Sequence, residues 1–149
     1  MTQPSCAADA TAPPLMKASE YRNQMTHEQA VAHLADFAYK LGYKVFAPRT
    51  VLAKGYRRED PDQYLTAYSH ESGKGFPDIT AVGHGLVVFI EVKTGKATLE
   101  PEQREWRDLI CSVEDIPESR VVWLLARPQV FDVIEVFLRK ADPSLLSTR

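Results

Sequence analysis

An acid at position 78, another at 91 and a lysine at 93 enclose an otherwise apolar stretch. It reads Asp78-Ile79-Thr80-Ala81-Val82-Gly83, then His84-Gly85, then Leu86-Val87-Val88-Phe89-Ile90-Glu91-Val92-Lys93. Strand side chains alternate, so Glu91 and Lys93 share a face. If Gly83 faces Leu86 across a two-residue turn, the numbers of opposed residues keep a constant total, and Asp78 falls opposite Glu91. Opposed Cβ atoms lie about 5 Å apart. At that distance two ionised carboxylates repel by about 3 kcal/mol at an effective dielectric of about 20, a large share of a domain's stability. Either one acid holds a proton with a raised pKa, or a cation sits between them. A hard divalent ion with oxygen ligands fits, Mg²⁺ first and Mn²⁺ as its substitute. Lys93 would then orient a water beside the ion or balance charge on a phosphate. The plainer alternative is a hairpin whose ends carry solvated charges.

Positioning these groups requires a sheet with helices on it. Thr26 and Gln29 have capping-box spacing, and Ala30, Val31, Leu34, Phe37, Ala38 and Leu41 form an apolar stripe, with Gly42 at the stop. Tyr43-Lys44-Val45-Phe46-Ala47 reads as a strand ended by Pro48, and Asp60-Pro61 as the start of a short helix to about Tyr68. The hairpin follows. Its second strand is nearly continuously apolar, as a central strand covered on both faces would be. Pro101 opens a helix with Trp106, Leu109, Ile110 and Val113 as its stripe; a strand over 121–126 and a helix over about 130–140 complete the chain. Gln103 falls on the apolar stripe in the first turn, so it is expected to point toward the sheet end that carries Lys93, as a partner of the site or simply as the start of an amphipathic helix. The order is helix, three strands, helix, strand, helix: one α/β domain over 18–149, with a mixed central sheet flanked by helices, behind a flexible tail over 1–17.

Composition narrows the function classes. The 149 residues are 44% hydrophobic and 26% charged with a formal net charge of -2, ordinary for one soluble domain. Two cysteines make no disulfide framework, and no signal peptide or membrane-length apolar run is apparent, so a cytoplasmic setting without a membrane partner is expected. From Lys40 to Arg58 the charges are all basic (Lys40, Lys44, Arg49, Lys54, Arg57, Arg58), either a phosphate-backbone footprint or a solvated face. Tyr56 interleaves with these cations, and Tyr64 and Tyr68 follow, as in a backbone clamp or a stacking surface. Packing on the sheet is the simpler role for Tyr64. The four histidines, His27, His33, His70 and His84, show no zinc spacing with Cys6 or Cys111, and His84 reads as a turn residue. Thr94-Gly95-Lys96-Ala97 lacks the upstream glycine and the hydroxyl of a P-loop.

Gly73-Lys74-Gly75-Phe76-Pro77-Asp78, then Ile90-Glu91-Val92-Lys93-Thr94-Gly95-Lys96, Pro101-Glu102-Gln103 and Trp106, and later Trp123 with Arg127-Pro128, resemble the virus-type replication-repair nuclease (VRR-NUC) family of the PD-(D/E)xK superfamily, in the standalone form of phages and bacteria. The resemblance spans about 26–138. It implies a restriction-endonuclease-like core of order αβββαβα and metal-dependent hydrolysis of DNA phosphodiesters, often by a homodimer acting on branched, Holliday-junction-like DNA in replication, recombination or repair. It makes Asp78 and Glu91 metal ligands together with the Val92 main-chain carbonyl, and Lys93 the catalytic lysine; Gln103 joins the catalytic set on its helix position alone, as a partner of the site or a contact to substrate. The family's first helix supplies an acid, for which Glu28 is the best match, although on a helical wheel His27 lies nearer the centre of the apolar stripe. Arg49, Lys54, Tyr56, Arg57, Arg58, Lys74 and Lys96 would contact DNA. Glu100 stands where relatives carry a Ser or Thr cap. Two other functions are carried alongside: a nucleic-acid-binding module of the same fold without turnover, and a restriction-like or end-trimming nuclease of linear duplex.

Overall fold

The computed structural model describes residues 17–48, 73–116 and 118–142. The helix expected over 61–68 lies outside these residues, as do Arg49, Lys54, Tyr56, Arg57 and Arg58.

Thr26 caps the main N-terminal helix as its spacing predicts: its hydroxyl accepts from the Gln29 amide at 3.2 Å, and the Gln29 side chain accepts from the Thr26 N–H at 2.9 Å. That helix, α2 (His27–Lys40), follows a six-residue helix, α1 (Ala18–Asn23). The sequence reading leaves α1 out, because it has no apolar face and buries no residue. Arg22 ties it to the rest through ion pairs with Asp132 and Glu135. Gly42, at φ 91°, turns the chain out of α2 into β1 (Lys44–Phe46).

Strands β2 (Ile79–Gly83) and β3 (Leu86–Val92) form the expected hairpin. Gly83 pairs with Leu86 and Ile79 with Ile90, and His84 and Gly85 both have positive φ, as a two-residue hairpin turn requires. Helix α3 (Pro101–Glu114), strand β4 (Val121–Ala126), a 3₁₀ turn (Pro128–Val130) and α4 (Phe131–Lys140) follow. The sheet runs β1-β2-β3-β4, antiparallel except for the parallel β3–β4 pair. This is an α/β fold with a mixed four-stranded sheet flanked by helices, compatible with a restriction-endonuclease-like core.

The two faces of the sheet bury different side chains. On one, Ile79, Ala81, Val88, Ile90, Val92, Val122, Leu124 and Ala126 join Ala30, Leu34 and Ala38 of α2 and Phe131, Ile134, Phe137 and Leu138 of α4 in a single core. The alternate residues face α3, where Phe76 packs edge-on against Phe89 (5.8 Å between ring centres) and Trp106 (4.9 Å). Ile110 of α3 is buried, whereas Leu109 and Val113 are 56% and 43% exposed. The stripe read from the sequence is therefore too wide. The buried face centres on the Gln103–Ile110 line, two turns apart, which leaves Leu109 and Val113 to its sides. No helix among the described residues is long and apolar enough to cross a membrane.

Candidate active site

The hairpin brings Asp78 to the end of the sheet where β3 and β4 finish. Asp78 immediately precedes β2, and continuing the Ile79–Ile90 register by one pair sets it opposite Glu91. Its Oδ2 accepts the Val92 N–H at 2.8 Å, so the carboxylate is tied to the partner strand by its own hydrogen bond. The Lys93 N–H donates to the Ala126 carbonyl at 2.9 Å, which fixes the next step of the chain against β4.

Glu91 is 2% exposed, the one buried charged side chain among the described residues. Its Oε1 accepts from the Gln103 side-chain amide at 2.6 Å and lies 3.0 Å from the Lys93 Nζ. Burial pushes the Glu91 carboxyl up to about 7; the nearby charge of Asp78 adds to the rise, and the Lys93 hydrogen bond and charge oppose it. This is the first alternative derived from the sequence: without a cation, the acid facing Asp78 retains much of its proton at neutral pH.

Gln103 reaches the site because its helix starts there. It is the third residue of α3, where its Oε1 accepts the Glu100 N–H at 2.9 Å while its Nε2 donates to Glu91. One amide thus caps the helix and orients the buried acid, and that pair of partners fixes which end of the amide is oxygen. Glu100 itself contributes its N–H to this cap and makes no side-chain cap bond.

The Gly73–Asp78 loop is pressed onto the same helix. Gly75 has φ 79°, and a Cβ there would lie 2.6 Å from the Glu102 main-chain carbon and 2.8 Å from the Gln103 nitrogen. Only glycine fits that approach. The Trp106 indole N–H donates to the Lys74 carbonyl at 3.1 Å, and the Lys74 Nζ pairs with Glu102 at 2.6 Å on the surface. Lys96 is exposed in the loop after Lys93, which Arg127 holds through the Gly95 and Ala97 carbonyls at 3.3 and 2.7 Å.

Glu28 does not join the cluster. It is exposed and makes no hydrogen bond or ion pair with the site among the described residues. His27, the first residue of α2, takes that direction: its Nε2 lies 3.2 Å from Asp78 Oδ2 and 3.1 Å from the Val92 carbonyl oxygen. The Asp78 hydrogen bond raises the His27 pKa, against partial desolvation that lowers it. The helical wheel carried this signal, since it set His27 nearer the stripe centre than Glu28; family analogy pointed one residue away. Of the described members of the basic strip, Lys40 is the last residue of α2, about 20 Å along the helix from His27 at 1.5 Å per residue, and Lys44 opens β1 just after it. They do not line the site.

The donors that fit a metal are two carboxylates and a main-chain carbonyl, a hard oxygen set suited to Mg²⁺ or Mn²⁺. Among the described residues no three His, Cys, Asp or Glu side chains are grouped so as to hold a metal ion; the Val92 carbonyl is the third donor of the set, and Glu91 Oε1 is held by Gln103 and Lys93. No family model, no curated protein and no solved structure matches this chain.

Proposed function

We propose that this protein is a metal-dependent deoxyribonuclease that hydrolyses phosphodiester bonds in branched DNA, a standalone member of the VRR-NUC type. The observation that carries the reading is Glu91, a buried acid at the end of a central strand, opposite Asp78 in register and contacted by a lysine two residues along its own face. Burying an acid beside a second acid is unfavourable even with the Gln103 and Lys93 partners, which supports a functional role for Glu91.

Asp78, Glu91 and the Val92 carbonyl would hold Mg²⁺ or Mn²⁺, which when bound supplies positive charge at the scissile phosphate and a more acidic attacking water. Each residue then has a defined task. Gln103 holds Glu91 through Oε1, and the Val92 N–H holds Asp78, so neither acid reorganises during the reaction. Lys93, 11% exposed, keeps its Nζ 3.0 Å from Glu91 Oε1. From there it would release Glu91 and donate to a non-bridging phosphate oxygen as negative charge builds. Lys74, in the loop that leads to Asp78, and Lys96, in the loop after Lys93, would meet the neighbouring phosphates, together with Arg49, Lys54, Tyr56, Arg57 and Arg58. A homodimer would set two such sites on two strands, as cleavage of a junction needs.

The substrate class is tested by offering four-way junctions, flaps, single strands and linear duplex to the purified protein, with Mg²⁺, Mn²⁺ or chelator. Metal-dependent nicking strongest on the junction is the expected result. Preference for linear duplex would replace the branched-DNA assignment with an end-trimming or restriction-like one. Chelator-insensitive binding with no nicking of any form would leave a binding module.

A further inference from the structure

His27 has no part in the ligand set above, yet its ring nitrogen stands between two members of it. Nε2 lies 3.2 Å from Asp78 Oδ2 and 3.1 Å from the Val92 carbonyl oxygen. Both atoms are acceptors, and one N–H can point well at only one of them. Adjacent ligands of an octahedral ion with bonds of about 2.1 Å stand about 3 Å apart. Both distances from Nε2 therefore match the spacing expected of neighbouring ligands.

Helix α2 holds this arrangement in place. The reciprocal Thr26–Gln29 cap fixes the first turn, and Met25 and Ala30 on either side of His27 are buried in the core. The imidazole is 46% exposed, so its open side faces solvent, from which an ion and a phosphate arrive.

We infer that His27 Nε2 is a direct ligand of the divalent ion, completing with Asp78 and the Val92 carbonyl a nitrogen-containing site that favours Mn²⁺ over Mg²⁺. The inference rests on the metal-dependent reading above. Ligation uses the Nε2 lone pair, so the proton on Nε2 moves to solvent or to Nδ1 as the ion binds. Imidazole is a softer ligand than carboxylate or water and discriminates against Mg²⁺, which binds oxygen almost exclusively. Glu28, one residue on and exposed, makes no contact that would let it serve instead.

Pulsed electron paramagnetic resonance on the full chain loaded with Mn²⁺ reads the bond directly, through the hyperfine coupling of a ligating ¹⁴N. Wild type is expected to show one coupled imidazole nitrogen. His27→Gln should still bind Mn²⁺ but lose the coupling, and its ratio of Mn²⁺ to Mg²⁺ affinity should fall. His27→Ala should lose the coupling as well, and Asp78→Ala should lose the ion. Mn²⁺ that depends on Asp78 but shows no nitrogen coupling, or a coupling that survives in both His27 variants, would overturn the ligand assignment and leave the metal site standing. No Asp78-dependent Mn²⁺ binding at all would overturn both.

Discussion

Glu91 carries the clearest consequence at the scale of a single residue. Its carboxyl sits near 7 in the fold against 4.5 for a free glutamate, chiefly because it is buried. A folded pKa above the unfolded one means that its stabilising contribution is complete below about pH 4.5 and is lost as the pH rises through 7. The difference corresponds to about 3 kcal/mol at neutral pH without metal. Glu91→Gln keeps an oxygen for both Gln103 and Lys93 and removes the charge. The variant should be inactive but more stable than wild type at pH 7.5, with the gap closing toward pH 4.5; denaturant titrations at the two pH values check it. Added Mg²⁺ should raise the thermal midpoint of wild type at pH 7.5 and leave that of Glu91→Gln nearly unmoved. Gln103 contacts Glu91, and on the proposed reading it acts through that acid and not on the ion. Gln103→Ala should lower cleavage about 10–100-fold and cost about 1 kcal/mol through the lost cap. A positioning role further requires the divalent-ion affinity of that variant to fall, which a purely structural loss would not produce.

At the scale of elements, two helix beginnings and one glycine set the geometry. The Gly75 approach to α3 couples the loop that delivers Asp78 to the turn that delivers Gln103. Gly75→Ala adds a Cβ at positive φ against helix backbone, so it should destabilise the fold by about 2–4 kcal/mol and reduce cleavage in whatever fraction stays folded. Thermal unfolding and a single-turnover assay measure the two effects separately. The elements were legible where local chemistry decides them. The Thr26–Gln29 box, the Gly42 stop, the His84-Gly85 turn and Pro101 at a helix start all act within a few residues of themselves. Helix α1 was not legible, because what holds it is Arg22 reaching Asp132 and Glu135, more than a hundred residues away. The exposure of Leu109 and Val113 was missed for a related reason: periodicity gives the phase of a stripe, and the width that is covered depends on what packs there.

For the whole molecule, the hairpin register did more than the composition. Fixing Gly83 opposite Leu86 placed Asp78 and Glu91 together at one end of a mixed sheet, and the chain order supplied α2 and α3 to flank that end. The basic strip was weaker evidence. Charge sign along the sequence does not say which way a surface faces, and Lys40 and Lys44 lie at the other end of α2. The choice between His27 and Glu28 also needed three dimensions, since the two differ by 100° around a helix whose starting angle tertiary packing sets.

On the proposed function, Asp78, Glu91 and Lys93 form one metal-dependent hydrolytic site. The most direct measurement compares wild type with Lys93→Ala on the preferred DNA form, scoring nicking and binding in Mg²⁺ and in chelator. Wild type should nick only with the ion, and Lys93→Ala should bind that DNA with similar affinity while cutting it about 100–1,000-fold more slowly, the loss typical of removing a charge-stabilising group. Undiminished cleavage by Lys93→Ala, or nicking by wild type that persists in chelator, would rule out a metal-dependent site built on these three residues.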